Sequence, residues 1–479
     1  MAVALFLVPL LFALAAMLMP AHRARPLLVP LGAAVHLGLV TLALGSEGEV
    51  SAWGGWLVLD KLGRVVLPLV SGLFFACSLY VPTYLRIRSG RPNRVFCSAL
   101  LAFLGMMTLI TLSHHLGLMW VALEANTLVS APLLYFGQNS RSLEATWKYL
   151  LIGAVGIALA LLGSFFLAYA ALHAGRHGSL VVDDLVRDAP MLSRPWLHTA
   201  FVVLFVGYGT KMGLAPMHTW KPDAYGEAPG LVGALLAGGL TSCAFLALLR
   251  FYQILAAAGE GAFARDLMVV IGLLSMAVAG VFMARQRDYK RMLAYSSVEH
   301  MGILVLGMGI GGLAAFGALL HLVNNALTKG VMFMAAANIH RAYGHKTIDR
   351  VGGALRRVPA SGALFLAGFF AITGSPPFGP FLSEFTILRG AVASGRYGVA
   401  AAFLVLLFVV FVGMGNTVLA VVQGKPPEDV RETGFHESVG TVGPALVLLL
   451  AVAVLGVWVP PALSLALQDA ATFIEGVNP

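Results

Sequence analysis

The chain has 479 residues, of which 59% are hydrophobic and only 11% are charged. Soluble proteins carry roughly 25% charged residues, so this composition excludes an ordinary soluble domain. Basic membrane loops explain the formal net charge of +9 better than nucleic-acid binding does. The three cysteines, Cys77, Cys97 and Cys243, lie far apart without CxxC spacing. We therefore expect no disulfide framework, no metal site, no cofactor and no redox centre in this chain.

Apolar runs of about 20 residues, the length that crosses a bilayer, recur along the chain. They predict an all-α polytopic membrane protein, because a helical bundle satisfies every backbone group in lipid and strand-type alternation is absent. The first run has no basic residues ahead of it, which is typical of a retained helix and not of a signal peptide. About fourteen transmembrane helices are predicted, at residues 2–20, 27–44, 62–85, 95–112, 116–136, 149–172, 196–217, 229–256, 267–284, 292–310, 313–339, 359–389, 398–421 and 440–460.

Basic residues concentrate in alternate loops between these predicted helices. One set of loops holds 20 Lys and Arg residues, including Lys221 and Lys290, and the opposite set holds six. The positive-inside rule then places both termini on the outer face of a prokaryotic cytoplasmic (inner) membrane. The longest loop, near 173–195, is expected to hold a small amphipathic turn. The stretch 462–476 reads equally well as a short interfacial helix or a frayed tail.

Two of the predicted helices are interrupted by helix-breaking residues. In predicted helix seven, Lys211 is followed by Gly213 and Pro216; predicted helix twelve is interrupted ahead of Glu384 by Gly374, Pro376, Pro377, Gly379 and Pro380. The breaks lie five helices apart, and paired broken helices are typical of inverted repeats in transporters. We therefore expect two inverted five-helix repeats within a single membrane domain, 1–479. Its parts are 1–94 (helices 1–3), 95–258 (helices 4–8), 266–422 (helices 9–13) and 423–479 (helix 14 and the tail).

Lys211 is predicted to exchange protons at the first break. A break frees backbone groups for water, burial disfavours a charged lysine, and a nearby carboxylate favours it. Glu124 is the only charge in its apolar run and is the natural partner. The alternatives are a lysine that snorkels to the surface and a static ion pair between helices.

Predicted helix eleven contains His321, Asn325 and Lys329 at positions i, i+4 and i+8. This spacing stacks the three side chains on one helix face, with Asn324 and Thr328 beside them. A polar ladder of this kind can carry protons through trapped waters, and ordinary polar contacts between helices are the alternative. Glu384 would be the outlet or gate of this polar seam.

Four further residues are candidate relays. Glu299 and His300 are adjacent, so at most one of them should face the seam, and His300 is the better candidate. Glu299 would then face a partner subunit or a second water pocket. Lys148 reads equally as a proton supplier or an interfacial anchor, and His218 follows the first break.

Four motifs together resemble the antiporter-like membrane subunits of respiratory complex I, membrane-bound hydrogenases and multisubunit sodium/proton antiporters. They are "KMGLAPMHTWKPDAYGEAP", "DYKRMLAYSSVEHMGIL", "HLVNNALTKGVMFMAA" and "GSPPFGPFLSEFTIL", within roughly 95–390. The resemblance implies a subunit that moves protons beside other membrane subunits, driven by a redox reaction elsewhere. It implies a glutamate–lysine pair at Glu124 and Lys211, and proton-carrying groups at His321, Lys329 and Glu384.

The sequence departs from this family at two places. The family often has a lysine in helix eight, where this chain has Thr241 or Ser242, so waters, His300 or His321 would have to bridge the halves. The usual "WLPDAH" reads "WKPDAY" here, with Lys221 and Tyr225. Two features of predicted helix eight, the missing lysine and the sequence "GLTSCAFLALLRF", favour the hydrogenase branch of the family, of the formate hydrogenlyase type.

Three functions remain open from the sequence. The first is a proton-translocating subunit of a redox-driven complex. The second is a subunit of a sodium/proton antiporter assembly without a redox partner, and the third is a structural membrane scaffold. Replacing Lys211 should abolish transport under the first two and leave it intact under the third.

Overall fold

The computed structural model describes residues 1–20, 22–46, 48–88, 90–426, 430 and 433–476. The predicted loop at 423–438 lies partly outside them. Most of the described chain is helical. The prediction of an all-α polytopic membrane protein is therefore confirmed, and the helices follow the predicted order.

The N-terminal part holds three long helices and a small hairpin. The helices are α1 Ala2–Leu18, α2 Leu28–Leu44 and α3 Gly63–Ile87. Between α2 and α3, strand β1 (Ser51–Ala52) pairs antiparallel with β2 (Leu57–Val58). The sequence did not reveal this hairpin because strands of two residues are too short to show alternation.

The next part contains the first broken helix. Its helices are α4 Arg94–Leu112, α5 Leu116–Leu134, α6 Ser140–His173, α7 Val182–Asp188, α8 Arg194–Met212, α9 Trp220–Glu227, α10 Gly230–Leu235 and α11 Thr241–Ala257. A π-helical stretch, Leu236–Leu240, joins α10 to α11. Helix α7 is the predicted amphipathic turn. Helix α6 begins nine residues before the prediction because Asn139 and Ser142 form a capping box.

The last part contains the second broken helix and the C-terminal helices. They are α12 Gly261–Met283, α13 Tyr289–Ile310, α14 Leu313–Tyr343, α15 Ala354–Arg357, α16 Pro359–Ile372, α17 Gly379–Ala393, α18 Tyr397–Val422, α19 Val439–Val457 and α20 Pro461–Glu475. Of the two readings of 462–476, the helix is the one that forms, with one apolar face buried.

Among the described residues, 10 helices are long and apolar enough to cross a membrane. The four predicted spans missing from this set are α1, which is short, α8, α14 and the interrupted pair α16–α17. Three of these four carry ionisable residues that the sequence singled out, namely Lys211, Lys329 and Glu384. The count of fourteen and the repeat therefore stay predictions.

The centre of the bundle consists of α10, α11, α13 and α14, whose residues are almost all buried. Neighbouring helices pack closely where one of them has a glycine, because a residue without a side chain lets the two backbones come together. A Cβ atom at Gly207 on α8 would lie 2.6 Å from the backbone nitrogen of Ala160 on α6. This central packing also buries Lys221 and Lys290, so their assignment to loops was wrong.

Candidate proton path

The first break lies between α8 and α9, where Gly213 adopts a left-handed conformation with φ of 78°. Side chains satisfy the backbone groups that the break frees. Trp220 Nε1 donates to the carbonyl of Thr210 at 2.9 Å, and the Ala215 amide donates to Ser275 Oγ at 3.0 Å. The chain can therefore change direction inside the bundle without leaving these groups unpaired.

Lys211 lies in the last turn of α8 and is 1% exposed. Its Nζ is 3.3 Å from Glu124 Oε2 on α5, and it donates to Thr127 Oγ1 at 2.5 Å. Gly153 on α6 leaves room for it, since a Cβ there would be 2.9 Å from Nζ. The structure thus forms the pair expected from the sequence, and the snorkelling alternative is wrong. Thr127 was not anticipated.

Lys221, on α9 just after the break, is completely buried. Its Nζ donates to Ser297 Oγ on α13 at 3.2 Å and lies 3.4 Å from the Ser297 carbonyl oxygen. Its aliphatic stem passes over Gly213, where a Cβ would be 2.2 Å from Cε. Lys221 was assigned no role from the sequence because it lies in a polar, turn-like stretch.

The seam on α14 is present in one continuous helix. Lys329 Nζ donates to Ser296 Oγ on α13 at 2.8 Å. The imidazoles of His300 and His321 share a hydrogen bond, with 2.9 Å between His300 Nδ1 and His321 Nε2. The other ring nitrogen of His321 is 3.0 Å from Ser383 Oγ on α17. His300 therefore faces the seam, as predicted.

Glu299 was expected to face a partner subunit or a second water pocket. Its side chain is buried, and Oε2 lies 3.7 Å from His300 Nε2. Helix α13 is enclosed on every side, so two adjacent residues both face the interior. The burial of Glu299 argues against a place at the surface of the described chain, where a partner subunit would bind, and the second water pocket stays a prediction.

Both asparagines of the seam are fully buried. The amide atoms of Asn324 and Asn325 have no hydrogen-bond partner among the described residues. Asn324 packs over Gly379, where a Cβ would lie 2.2 Å from Oδ1. Thr328 donates to the Asn324 carbonyl of its own helix at 2.7 Å. Because buried amides need partners, this part of the seam is suited to bound water.

The second break joins α16 to α17 and holds Glu384. Gly374 has a φ of 67°, and a Cβ there would lie 2.1 Å from Glu384 Oε2. The Glu384 side chain also lines a cavity of about 420 Å³ between the break and α18, together with Pro376 and Phe381. Pro377 lies within the break and Pro380 in the first turn of α17.

A carboxylate oxygen of Glu384 and one nitrogen each of His300 and His321 lie within 4.8 Å of one another. Such a set has the donor atoms to hold a metal ion. The hydrogen bond between the two imidazoles occupies one nitrogen of each ring, which favours a proton relay that ends at Glu384.

The remaining candidate residues lie outside this chain of contacts. Thr241 and Ser242 each donate to a carbonyl of their own helix, at 2.6 Å. Lys148 pairs with Asp223 at 2.8 Å and with Glu144 at 2.7 Å, and its side chain is 44% exposed. This geometry favours the anchoring role of Lys148. His218 lies beside the rings of Phe282 and Tyr295.

A second buried charge cluster joins Asp60, His114 and Arg250. Arg250 Nη2 lies 3.2 Å from Asp60 Oδ2 and donates to the Thr111 carbonyl at 2.8 Å; His114 Nε2 lies 3.0 Å from Asp60 Oδ2. Burial opposes the charge of Asp60, but Arg250 and His114 lower the pKa of Asp60 to about 2. The cluster clamps α11 to α4 and to the segment before α3.

The comparisons with known proteins agree with this architecture. Residues 113–415 match the family model described as "NADH:quinone oxidoreductase/Mrp antiporter, TM". The "Hydrogenase-4 component F homolog" of Methylacidiphilum infernorum is 36% identical over 388 residues, covering 78% of this chain and 81% of that protein. "NADH-quinone oxidoreductase subunit N" of Desulforudis audaxviator is 32% identical over 444 residues, covering 88% and 86%.

A chain of respiratory complex I from Thermus thermophilus superposes with a TM-score of 0.77 at 27% identity, covering 94% of this chain and 96% of that one. The family model spans both broken helices and the seam. This protein therefore belongs to the NADH:quinone oxidoreductase/Mrp antiporter transmembrane family.

Proposed function

We propose that this protein is a proton-translocating membrane subunit of a redox-driven respiratory or hydrogenase complex. The observation that carries the proposal is the ion pair of Glu124 with the buried Lys211 at a helix break. The relatives named above are components of a hydrogenase and of an NADH-quinone oxidoreductase. In such a complex, electron transfer takes place in other subunits and this chain moves protons.

In the proposed mechanism, the Glu124 carboxylate controls whether Lys211 holds a proton. While the carboxylate is close, it favours the charged lysine; when the carboxylate moves away, burial disfavours the charge and the proton leaves. The proton then passes to Lys329, along Asn325 and bound water to His321, and out through Glu384. Each transfer leaves its donor ready for the next proton.

The proposed partners are other membrane subunits of the complex, and the proposed site is a prokaryotic inner membrane. We place both termini on the outer face. The asymmetry of basic loops supports this orientation, and it remains after the buried Lys221 and Lys290 are set aside. The two five-helix repeats are part of the proposal, supported by the Gly-x-x-Pro sequence at each break, Gly213–Pro216 and Gly374–Pro377.

A sodium/proton antiporter subunit is the second candidate function, because the family description also names Mrp antiporters. The two functions differ in what drives transport. Proton movement in a redox-driven complex stops when electron transfer is inhibited, whereas an antiporter exchanges protons for sodium without it. A scaffold would do neither.

The test uses everted membrane vesicles that contain the complete complex, with a pH-sensitive dye to report proton uptake and a parallel assay of electron transfer. Lys211→Met and Glu124→Gln should each lower proton translocation about tenfold or more. The exposed Lys425 provides the control variant Lys425→Met, which should behave as wild type. Wild-type pumping by an assembled Lys211→Met complex would contradict the proposed function.

A further inference from the structure

The two halves of the proposed path need a group that joins them. The resemblance implies a lysine in helix eight for this purpose, and this chain has Thr241 and Ser242 at that place. Both hydroxyls donate to carbonyls of their own helix at 2.6 Å. The acceptors, Ala237 and Gly238, lie in the π-helical stretch before α11, and no hydrogen bond among the described residues joins either hydroxyl to Lys211 or to the seam.

Lys221 reaches the position where the halves meet. It belongs to the first broken helix, yet its Nζ donates to Ser297 on α13 at 3.2 Å. Lys329, which belongs to the second half, donates to the adjacent residue Ser296 at 2.8 Å. Two buried lysines from different halves therefore end on consecutive serines of one helix.

The backbone at the break makes room for this arrangement. Gly213 has a positive φ that favours glycine, and its missing side chain leaves the space that the stem of Lys221 fills. Lys211, two residues before Gly213, extends instead toward Glu124 on α5. One break thus directs one lysine to each side.

The contacts of Lys221 are unlike those of a structural lysine. Lys290 is also buried and, among the described residues, also lacks a carboxylate within ion-pair distance, but its Nζ donates at 2.6 Å to the Ala228 carbonyl at the C-terminal end of α9, and a carbonyl has no proton to pass on. Among the described residues, Lys221 has a hydroxyl, a more distant carbonyl, the ring of Tyr225 at 5.7 Å and no carboxylate within ion-pair distance. A buried ammonium without a counter-ion is costly, so such a group gives up its proton readily. A serine hydroxyl can accept one proton and donate another.

We propose that Lys221 carries protons between the two halves, in the place of a helix-eight lysine. Lys221 takes up a proton released on the Lys211 side and gives it to the hydroxyls of α13, from which Lys329 receives it. Lys221 returns to the neutral amine as Lys329 becomes charged. This inference rests on the proposed function of the chain.

The vesicle assay described above tests it with Lys221→Met, which keeps the length of the stem and removes the proton. We expect proton translocation to fall about tenfold or more in assembled complex. Lys290→Met is the matched control for losing a buried lysine and should keep pumping. If Lys211→Met stops pumping while Lys221→Met does not, the inference is overturned and the proposed function stands; if neither stops it, both fail.

Lys221→His separates proton transfer from packing. Imidazole has an ordinary pKa of about 6.5, against about 10.4 for lysine, so a carrier with this group should work best at lower pH. We expect partial pumping whose optimum shifts toward acid relative to wild type. An unchanged pH profile in the histidine variant would assign Lys221 a packing role only. Should Lys221→Met fail to assemble, Ser297→Ala keeps the lysine, and wild-type pumping by that variant would overturn the inference.

Discussion

The two helix breaks use the same backbone device for different surroundings. At each break, a glycine of a Gly-x-x-Pro sequence has a positive φ, and an ionisable side chain from the following helix lies against its bare Cα. At the first break the glycine is Gly213 and the ionisable residue is Lys221. At the second they are Gly374 and Glu384.

The two breaks differ in how tightly their ionisable side chains are enclosed. Lys211 and Lys221 at the first break are almost completely enclosed. Glu384 at the second lines a cavity of about 420 Å³ beside α18. Under the proposed function, the same backbone geometry would serve an internal transfer point at the first break and an outlet at the second.

The largest effect is expected from filling the space at the first break. Gly213→Ala places a methyl group 2.2 Å from Lys221 Cε at a positive φ. Overpacking of about 1–3 kcal/mol adds to a left-handed cost of about 1–2 kcal/mol. We expect loss of pumping and a clear drop in the Tm of the detergent-purified complex.

Gly374→Ala should do less damage than Gly213→Ala, because Glu384 can move into the neighbouring cavity. Gly395→Ala is the control, since Gly395 also has a positive φ of 72° but nothing lies within 4 Å of its added Cβ. Equal Tm losses in Gly213→Ala and Gly374→Ala would show that the cavity beside Glu384 does not relieve the overpacking. They would contradict the distinction between an enclosed first break and a more open second break.

Removing the charge at the second break should come next. Glu384→Gln keeps the size of the side chain and removes its ability to exchange a proton. We expect pumping to fall about tenfold in the vesicle assay, with a normal Tm because the cavity already accommodates the group. Full pumping in this variant would show that protons leave elsewhere.

A smaller effect is expected within the seam. His321→Gln keeps polar contacts toward His300 and Ser383 but cannot carry a proton. Bound water can replace part of the relay, so we expect pumping to slow several-fold without stopping. The vesicle assay measures this rate, and a loss as complete as that of Lys211→Met would make His321 an obligatory carrier.

The smallest effect is expected from Thr241→Val, which removes a hydroxyl bonded only to its own helix. We expect pumping within about twofold of wild type, since a local hydroxyl-to-backbone bond contributes little. A large loss of pumping would indicate that Thr241 on helix α11 joins the two halves of the path.

The sequence was sufficient for the residues that stand alone in apolar runs. Glu124, Lys211 and Lys329 were identified because an isolated charge in a membrane helix needs a reason. Lys221 was missed because its neighbours are polar, and only tertiary packing reveals that α9 is buried. Ser296, Ser297 and Ser383 gave no signal, since helical hydroxyls usually bond their own backbone.

The direction in which a helix face points was harder to predict than the presence of the helix. The idea that Glu299 faces a partner subunit assumed that one face of its helix looks outward, whereas nearly every residue of α13 is buried. The long helices themselves follow from length and hydrophobicity, whereas the limits of α6 and the break after Lys211 depend on capping groups and on partners distant in the chain.

Helices α8 and α14 are not among those apolar enough to cross a membrane by composition, which bears on how the chain is made. During synthesis the N-terminal part emerges first, so Glu124 is already in the bilayer when Lys211 arrives, and Ser296 precedes Lys329. Of these three lysines, only Lys221 is synthesised before its partner, Ser297. The contact of Lys221 with Ser297 can therefore form only after α13 has been synthesised.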